Sequence, residues 1–258
     1  MAYEAELRAA RDAAHRAGEA ALGYFRTGIT ADSKADLSPV TAADRECERL
    51  FVQELLAHFP DDGLLGEEGA DKPAAAGRRW IIDPIDGTRD FIRGNRLWCN
   101  LVALEDSGDV VVGVARFPAL GETYYASQGG GAFRDFNGQT ERLRASTIRD
   151  VSQAVLCINS FTNITRSGFS RHLLDWMRAF WAVRSLGGAL DSMMVLSGSA
   201  EAWIEQNAAP WDIAPMKIMA QEAGVRFFNF DGGDSIYGGN CVLCVPALET
   251  TLRRFVAA

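Results

Sequence analysis

The chain has 258 residues, enough for one large domain or two closely packed halves. With 48% apolar and 23% charged residues it reads as a globular protein, and 34 acidic against 26 basic residues give a net charge of -8. That balance argues against nucleic acid or an anionic membrane as partner, and it suits an anionic substrate only where a bound cation reverses the sign locally.

Residues 3 to 25 follow helical spacing, with Tyr3, Leu7, Ala10, Ala14, Ala17, Ala21 and Tyr24 on one face. A first helix, not a secretory leader, is therefore expected there. No apolar run approaches membrane-spanning length, and five cysteines without a leader fit a reducing cytoplasm. After a polar loop, SPVTAADRECERLFVQELLAHFP places Thr41 three residues before Asp44, a capping box that opens a helix to about Phe59. A short strand is expected around GLLGEE, then a loop over residues 70 to 78, then the strand WIID. Pro84 lacks an N–H and should end that strand at Asp83, leaving Asp86 to cap a brief helix from Gly87-Thr88. NLVALE, VVVGVARF and ETYYAS read as further strands, and Asn137-Gly138 predicts another hairpin.

Past about residue 146 the rhythm changes. VLCIN, AVRSL, EAWIEQ, VRFFNF and CVLCV alternate with helical stretches at 167 to 180, 189 to 198, 213 to 223 and 247 to 256. An α/β half, residues 146–258, is thus expected to follow a more meandering α+β half, residues 1–145. Cys241 and Cys244 form a C-x-x-C, but no second pair or nearby histidine completes a zinc site, so a buried strand is expected. His15, His58 and His172 read as surface or core-edge residues. A catalytic metal would then have oxygen ligands, which points to magnesium or manganese.

Four acidic positions stand at strand ends or helix starts. They are Glu67 in LLGEEG, Asp83 and Asp86 in WIIDPIDGTRDF, and Asp212 in PWDIAPMKIM. Taken singly, D-G is an ordinary turn signal, Glu67-Glu68 a solvated loop end and Asp212 a helix N-cap. Taken together, they crowd carboxylates beside a glycine-led helix start, where free amides accept an anion and the carboxylates accept a cation. That combination suits a metal-bridged phosphate.

WIIDPIDGTRDF resembles the first signature of the inositol monophosphatase family. The GEE and WD segments resemble its other metal-site segments, and SPVTAADRECE its N-terminal segment, in the expected order over nearly the whole chain. The resemblance implies a Mg²⁺-dependent phosphomonoesterase with a layered α/β/α/β/α sandwich of the inositol monophosphatase/sugar phosphatase type. Such proteins are usually dimeric and act on a small phosphorylated alcohol. It implies that Glu67, Asp83, Asp86 and Asp212, with the backbone carbonyl of Ile85, hold two or three Mg²⁺ ions, with Mn²⁺ as a substitute. Asp86, Gly87, Thr88 and Asp212 would hold the phosphate end. Thr88 and Asp44 would orient the attacking water with support from Glu67, and Glu205 would contact the alcohol portion.

The RGNRLW and PALGE elements resemble the histidinol-phosphatase branch, whereas GGALDS at 187 to 192 lacks an acidic residue right after its first glycine. Arg89-Asp90 stands where Lys/Thr-Asn is more usual, and Pro215 where a small residue is common; a proline is acceptable in a first helical turn. Asp90, Asp191 and Glu205 would form a ring of carboxylates favouring an ammonium-bearing leaving group, the alternative for Asp191 being a helix cap. Histidinol phosphate is the expected substrate. Inositol 1-phosphate, sugar bisphosphates, 3′-phosphonucleotides and a non-enzymatic role are the alternatives.

Overall fold

Small residues decide how the first helix sits. Ala10, Ala14, Ala17, Gly18 and Ala21 are buried along α1 (Glu4–Tyr24), and a side chain on Gly18 would begin only 2.8 Å from Pro118 Cγ. The structure, a computed structural model, describes residues 2–28, 32–33, 39–74 and 77–257. A two-strand pair, β1 (Asp32–Ser33) and β2 (Pro39–Val40), precedes α2 (Ala42–His58). Strands β3 (Gly63–Gly66), β4 (Asp71–Lys72) and β5 (Arg78–Asp86) lead into a single helical turn, α3 (Thr88–Ile92). A meander follows: β6 (Cys99–Asp106), β7 (Asp109–Phe117), β8 (Glu122–Ser127), β9 (Gly131–Phe136) and β10 (Gln139–Arg142). The rest alternates as β11 (Val155–Ile158), α4 (Phe161–Ile164), α5 (Leu173–Met177), β12 (Ala182–Arg184), α6 (Gly188–Leu196), β13 (Ala202–Gln206), α7 (Pro210–Ala223), β14 (Arg226–Phe228), β15 (Asn240–Cys244) and α8 (Glu249–Val256).

Besides the β1–β2 pair, two larger sheets form among the described residues, ordered β10-β9-β8-β7-β6-β5-β3-β4 and β12-β11-β13-β15-β14. Period-two side chains divide each strand between two layers. Trp80, Ile82, Val102 and Leu104 face α1 and α2, whereas Ile81, Leu101 and Ala103 face α7. In the smaller sheet, Trp203, Cys241 and Leu243 face α6 and α7, while Ile204, Val242 and Cys244 face α5 and α8. The layers therefore run α/β/α/β/α, with α6 and α7 between the sheets.

Several local expectations hold. Thr41 and Asp44 form the capping box, Thr41 N–H donating to Asp44 Oδ2 at 2.7 Å. Asn137 and Gly138 take positive φ, 50° and 74°, and close the β9–β10 hairpin. Cys241 and Cys244 are buried, free thiols in β15. Others differ. The stretch 70–78 holds β4, paired antiparallel with β3, although 75 and 76 lie outside the described residues. The helix expected over 167–180 splits into a 3-10 segment, Gly168–His172, and α5.

Helix α7 carries Asp212, so its seat on the larger sheet matters for the site. Pro215 lies in its second turn, not its first, and faces β7 where Gly113 offers no side chain. A Cβ on Gly113 would sit 2.8 Å from the Pro215 carbonyl oxygen and 2.7 Å from Ile218 Cγ2. Backbone cannot yield as a flexible side chain can. Gly113→Ala is expected to cost about 1–3 kcal/mol of stability through overpacking, read as a lower urea midpoint at unchanged slope.

Candidate active site

The end of β5 builds the floor. Asp83 pairs with Leu101 and Asp86 with Cys99, and the register shifts between them, so the strand bulges through Pro84 instead of stopping at Asp83. The reason lies on the neighbouring strand: Asn100 Nδ2 donates to the Pro84 carbonyl. A side chain thus satisfies the irregular backbone. Gly87 then turns left-handed (φ 82°) and is itself the N-cap of α3. Asp86 does not cap that helix. Its Oδ2 accepts instead from the Ala189 N–H at 3.1 Å, across the molecule at the start of α6.

Asp83, Asp86 and Asp212 each offer an oxygen within 4.8 Å of the others. Asp212 is held by the Ala209 N–H, which donates to its Oδ2 at 2.7 Å. Glu67 follows β3, and its N–H donates to the Ile82 carbonyl at 3.1 Å. The Ile85 carbonyl accepts from Thr88 Oγ1 at 3.1 Å, and the same hydroxyl lies 3.5 Å from Asp44 Oδ1.

Electrostatics of the protein groups alone disfavour this crowd. Burial, then the charges of Glu67, Asp86 and Asp212, pushes Asp83 well above the usual carboxylate range. Asp212 is pushed to about 7 by burial and then by Asp86. Asp86 is raised by burial, against the Ala189 hydrogen bond, and Asp44 by burial, against its bonds to Thr41. Asp83 Oδ1 is buried with no hydrogen-bond partner. An all-oxygen donor set with a buried, unpartnered carboxylate oxygen fits a hard divalent cation such as Mg²⁺. The three histidines are exposed and stand apart from the cluster.

Above the cluster, Glu67, Asp86, Gly87, Thr88, Asp90, Glu205 and Asp212 line one cavity of about 900 Å³. Asp83 and Ile85 are buried at its base, and Asp44 reaches it through Thr88. Glu205 is buried on β13 and accepts from Asn159 Nδ2; burial raises it well above its usual range, against that bond. Asn159 Oδ1 in turn accepts from the Gly188 N–H at 3.2 Å. Gly188 itself must lack a side chain, since a Cβ there would lie 2.5 Å from Asp86 Oδ2. Asp191 does not face the cavity. It accepts from the Leu186 and Gly187 N–H groups at 3.1 Å and braces the turn before α6. Sequence reasoning missed Asn159 and the Ala189 amide; the glycine pair in GGALDS was the local signal for a close backbone approach.

Comparison with known proteins places these features in company. Residues 3–257 match the inositol monophosphatase family. The chain is 41% identical over 255 residues to the histidinol-phosphatase of Chlorobaculum parvum, covering 98% of this chain and 96% of that protein. It is 32% identical to the inositol-1-monophosphatase of Rhizobium meliloti, covering 98% of each. In structure it resembles the extragenic suppressor protein suhB from Bartonella henselae, with a TM-score of 0.90, 27% identity and 98% of both chains covered.

Proposed function

The chain belongs to the inositol monophosphatase family and is a phosphoric monoester hydrolase; we propose that histidinol phosphate is its substrate and that Mg²⁺ is its cofactor. The observation that carries the metal part is the buried, unpartnered Asp83 Oδ1 among like-charged carboxylates beside the Gly87-Thr88 turn. Glu67, Asp83, Asp86, Asp212 and the Ile85 carbonyl would hold the ions. Bound Mg²⁺ supplies positive charge that acidifies water and offsets charge on the leaving oxygen.

The chain's own groups then do three things. Gly87, free of a Cβ, lets phosphate oxygens approach the first backbone amides of α3. Thr88 Oγ1, between the Ile85 carbonyl and Asp44, would orient the attacking water. Asp44 is fixed for that task by its two bonds from Thr41, whose N–H and Oγ1 donate to Oδ2 and leave Oδ1 for Thr88. Glu205 lines the same cavity and would meet the alcohol portion of the ester.

The histidinol reading is supported by the 41% identity over nearly the whole chain and by carboxylates, Glu205 and Asp90, beyond the metal cluster. Inositol 1-phosphate is the second reading, supported by the Rhizobium meliloti relative. Kinetics with histidinol phosphate, myo-inositol 1-phosphate, fructose 1,6-bisphosphate and a 3′-phosphonucleotide at one pH and saturating Mg²⁺ separate them. Histidinol phosphate is expected to lead by about tenfold or more in kcat/KM, the scale that one well-placed polar contact supplies. A higher kcat/KM for the inositol ester would reverse the assignment.

A further inference from the structure

This inference rests on the reading of the cavity as a phosphomonoesterase site. With Glu67, Asp83, Asp86 and Asp212 given to metal, two carboxylates remain along the cavity, Asp90 and Glu205. Glu205 is buried and already engaged by Asn159. Asp90 is partly exposed and differently held. Its Oδ1 accepts from Asn95 Nδ2 at 2.6 Å, while its main-chain carbonyl accepts from the Asn95 N–H at 2.9 Å. The main-chain bond sets Asn95 beside Asp90, and the side-chain bond then holds the carboxylate of a short side chain on a single helical turn.

The other oxygen looks across the mouth. Asp90 Oδ2 lies 3.5 Å from where a Cβ would stand on Gly187, which is the distance of a van der Waals contact. Gly187 has φ 124°, a conformation that disfavours any side chain, so the gap between the carboxylate and the turn stays clear. Asp191 holds that turn in place from behind. Arg89 and Arg166 also line the cavity, but both are exposed on long flexible stems, where water and salt screen them. A pinned carboxylate at a narrow passage discriminates charge better than mobile cations at a rim.

We propose that Asp90 is a specificity-determining residue that accepts a hydrogen bond from an ammonium group on the alcohol portion of the ester. The class of substrate it selects is the phosphorylated amino alcohol. The local sequence agrees with the geometry: the carboxylate at 90 sits four residues beyond Asp86, near enough to face the substrate and outside the metal cluster.

The test compares matched esters that differ in charge: 4-aminobutyl phosphate against butyl phosphate, and histidinol phosphate against its N-acetyl derivative. All are measured at saturating Mg²⁺ with wild type and Asp90→Asn. The ratio of kcat/KM, charged over neutral, is the readout, and the neutral ester in the same sample reports folded, metal-loaded sites. Wild type should favour the charged member of each pair, and Asp90→Asn should lower the ratio by about fivefold or more, as loss of a charge-assisted hydrogen bond predicts. A smaller change, or no preference in wild type, overturns the role of Asp90. If histidinol phosphate is a poor substrate while the aminobutyl ratio still collapses, the histidinol reading fails and Asp90 keeps its role. If histidinol phosphate is the best ester and the ratio does not move, the reverse holds.

Discussion

Asp83→Asn will remove nearly all phosphatase activity while leaving the fold intact. Asp83 is 2% exposed at the base of the cluster, and its Oδ1 has no protein partner. Asparagine keeps the volume but surrenders the charge and one acceptor oxygen, so the site loses a ligand for a hard cation. Loss of the transition-state stabilisation that the ion supplies is expected to lower kcat by about 10²–10³-fold or more. Stability should move the other way. Like charges on Glu67, Asp86 and Asp212 oppose ionisation of Asp83, so neutralising it relieves repulsion in the metal-free protein. The thermal midpoint in chelator is expected at or above that of wild type. A variant that turns over near the wild-type rate at saturating Mg²⁺ would remove Asp83 from the site.

Magnesium will stabilise the protein, and the gain will widen as pH rises from about 5 to 7.5. The sign follows from the carboxylates. In the unfolded chain an aspartate titrates near 3.9. In the folded, metal-free chain Asp83 and Asp86 titrate higher, and Asp212 at about 7, chiefly through burial. Between those limits the native state holds protons that the unfolded state has released. The stability these groups contribute is full below the unfolded value and is lost as pH rises through the folded one. Each proton held costs about 1.4 kcal/mol per pH unit across that window. A divalent cation competes with those protons, so its binding strengthens over the same interval. The difference in thermal midpoint with Mg²⁺ and with chelator, taken at each pH, cancels titrations elsewhere in the molecule. A difference that stayed constant from pH 5 to 7.5 would separate metal binding from the carboxylate cluster.

What could be read in the sequence was what is local. The Thr41–Asp44 capping box spans three residues, and the Asn137-Gly138 hairpin needs only two residues at positive φ. The buried C-x-x-C strand and the helix carrying Asp212 follow from the apolar pattern around them. The site segments are legible for the same reason, since each is a short stretch at one strand end or helix start. Two of the failures at the site depended on partners far along the chain. Pro84 is passed by the strand because Asn100, sixteen residues on, supplies a donor from the neighbouring strand. Asp86 turns from capping α3 to the Ala189 amide, 103 residues away. Asp191 could have faced substrate or backbone on spacing alone; the turn at Leu186 and Gly187 presents two amides to it, and backbone wins.

The central claim is that the carboxylate cluster works as a metal-dependent phosphomonoesterase site. Phosphate release from histidinol phosphate by metal-stripped protein, titrated with Mg²⁺, tests it most directly, with Asp86→Asn run in parallel. The account predicts no turnover in excess chelator, a saturable rise with Mg²⁺ in wild type, and little or no rise in the variant. Undiminished turnover in chelator, or equal Mg²⁺ activation of the variant, would contradict it.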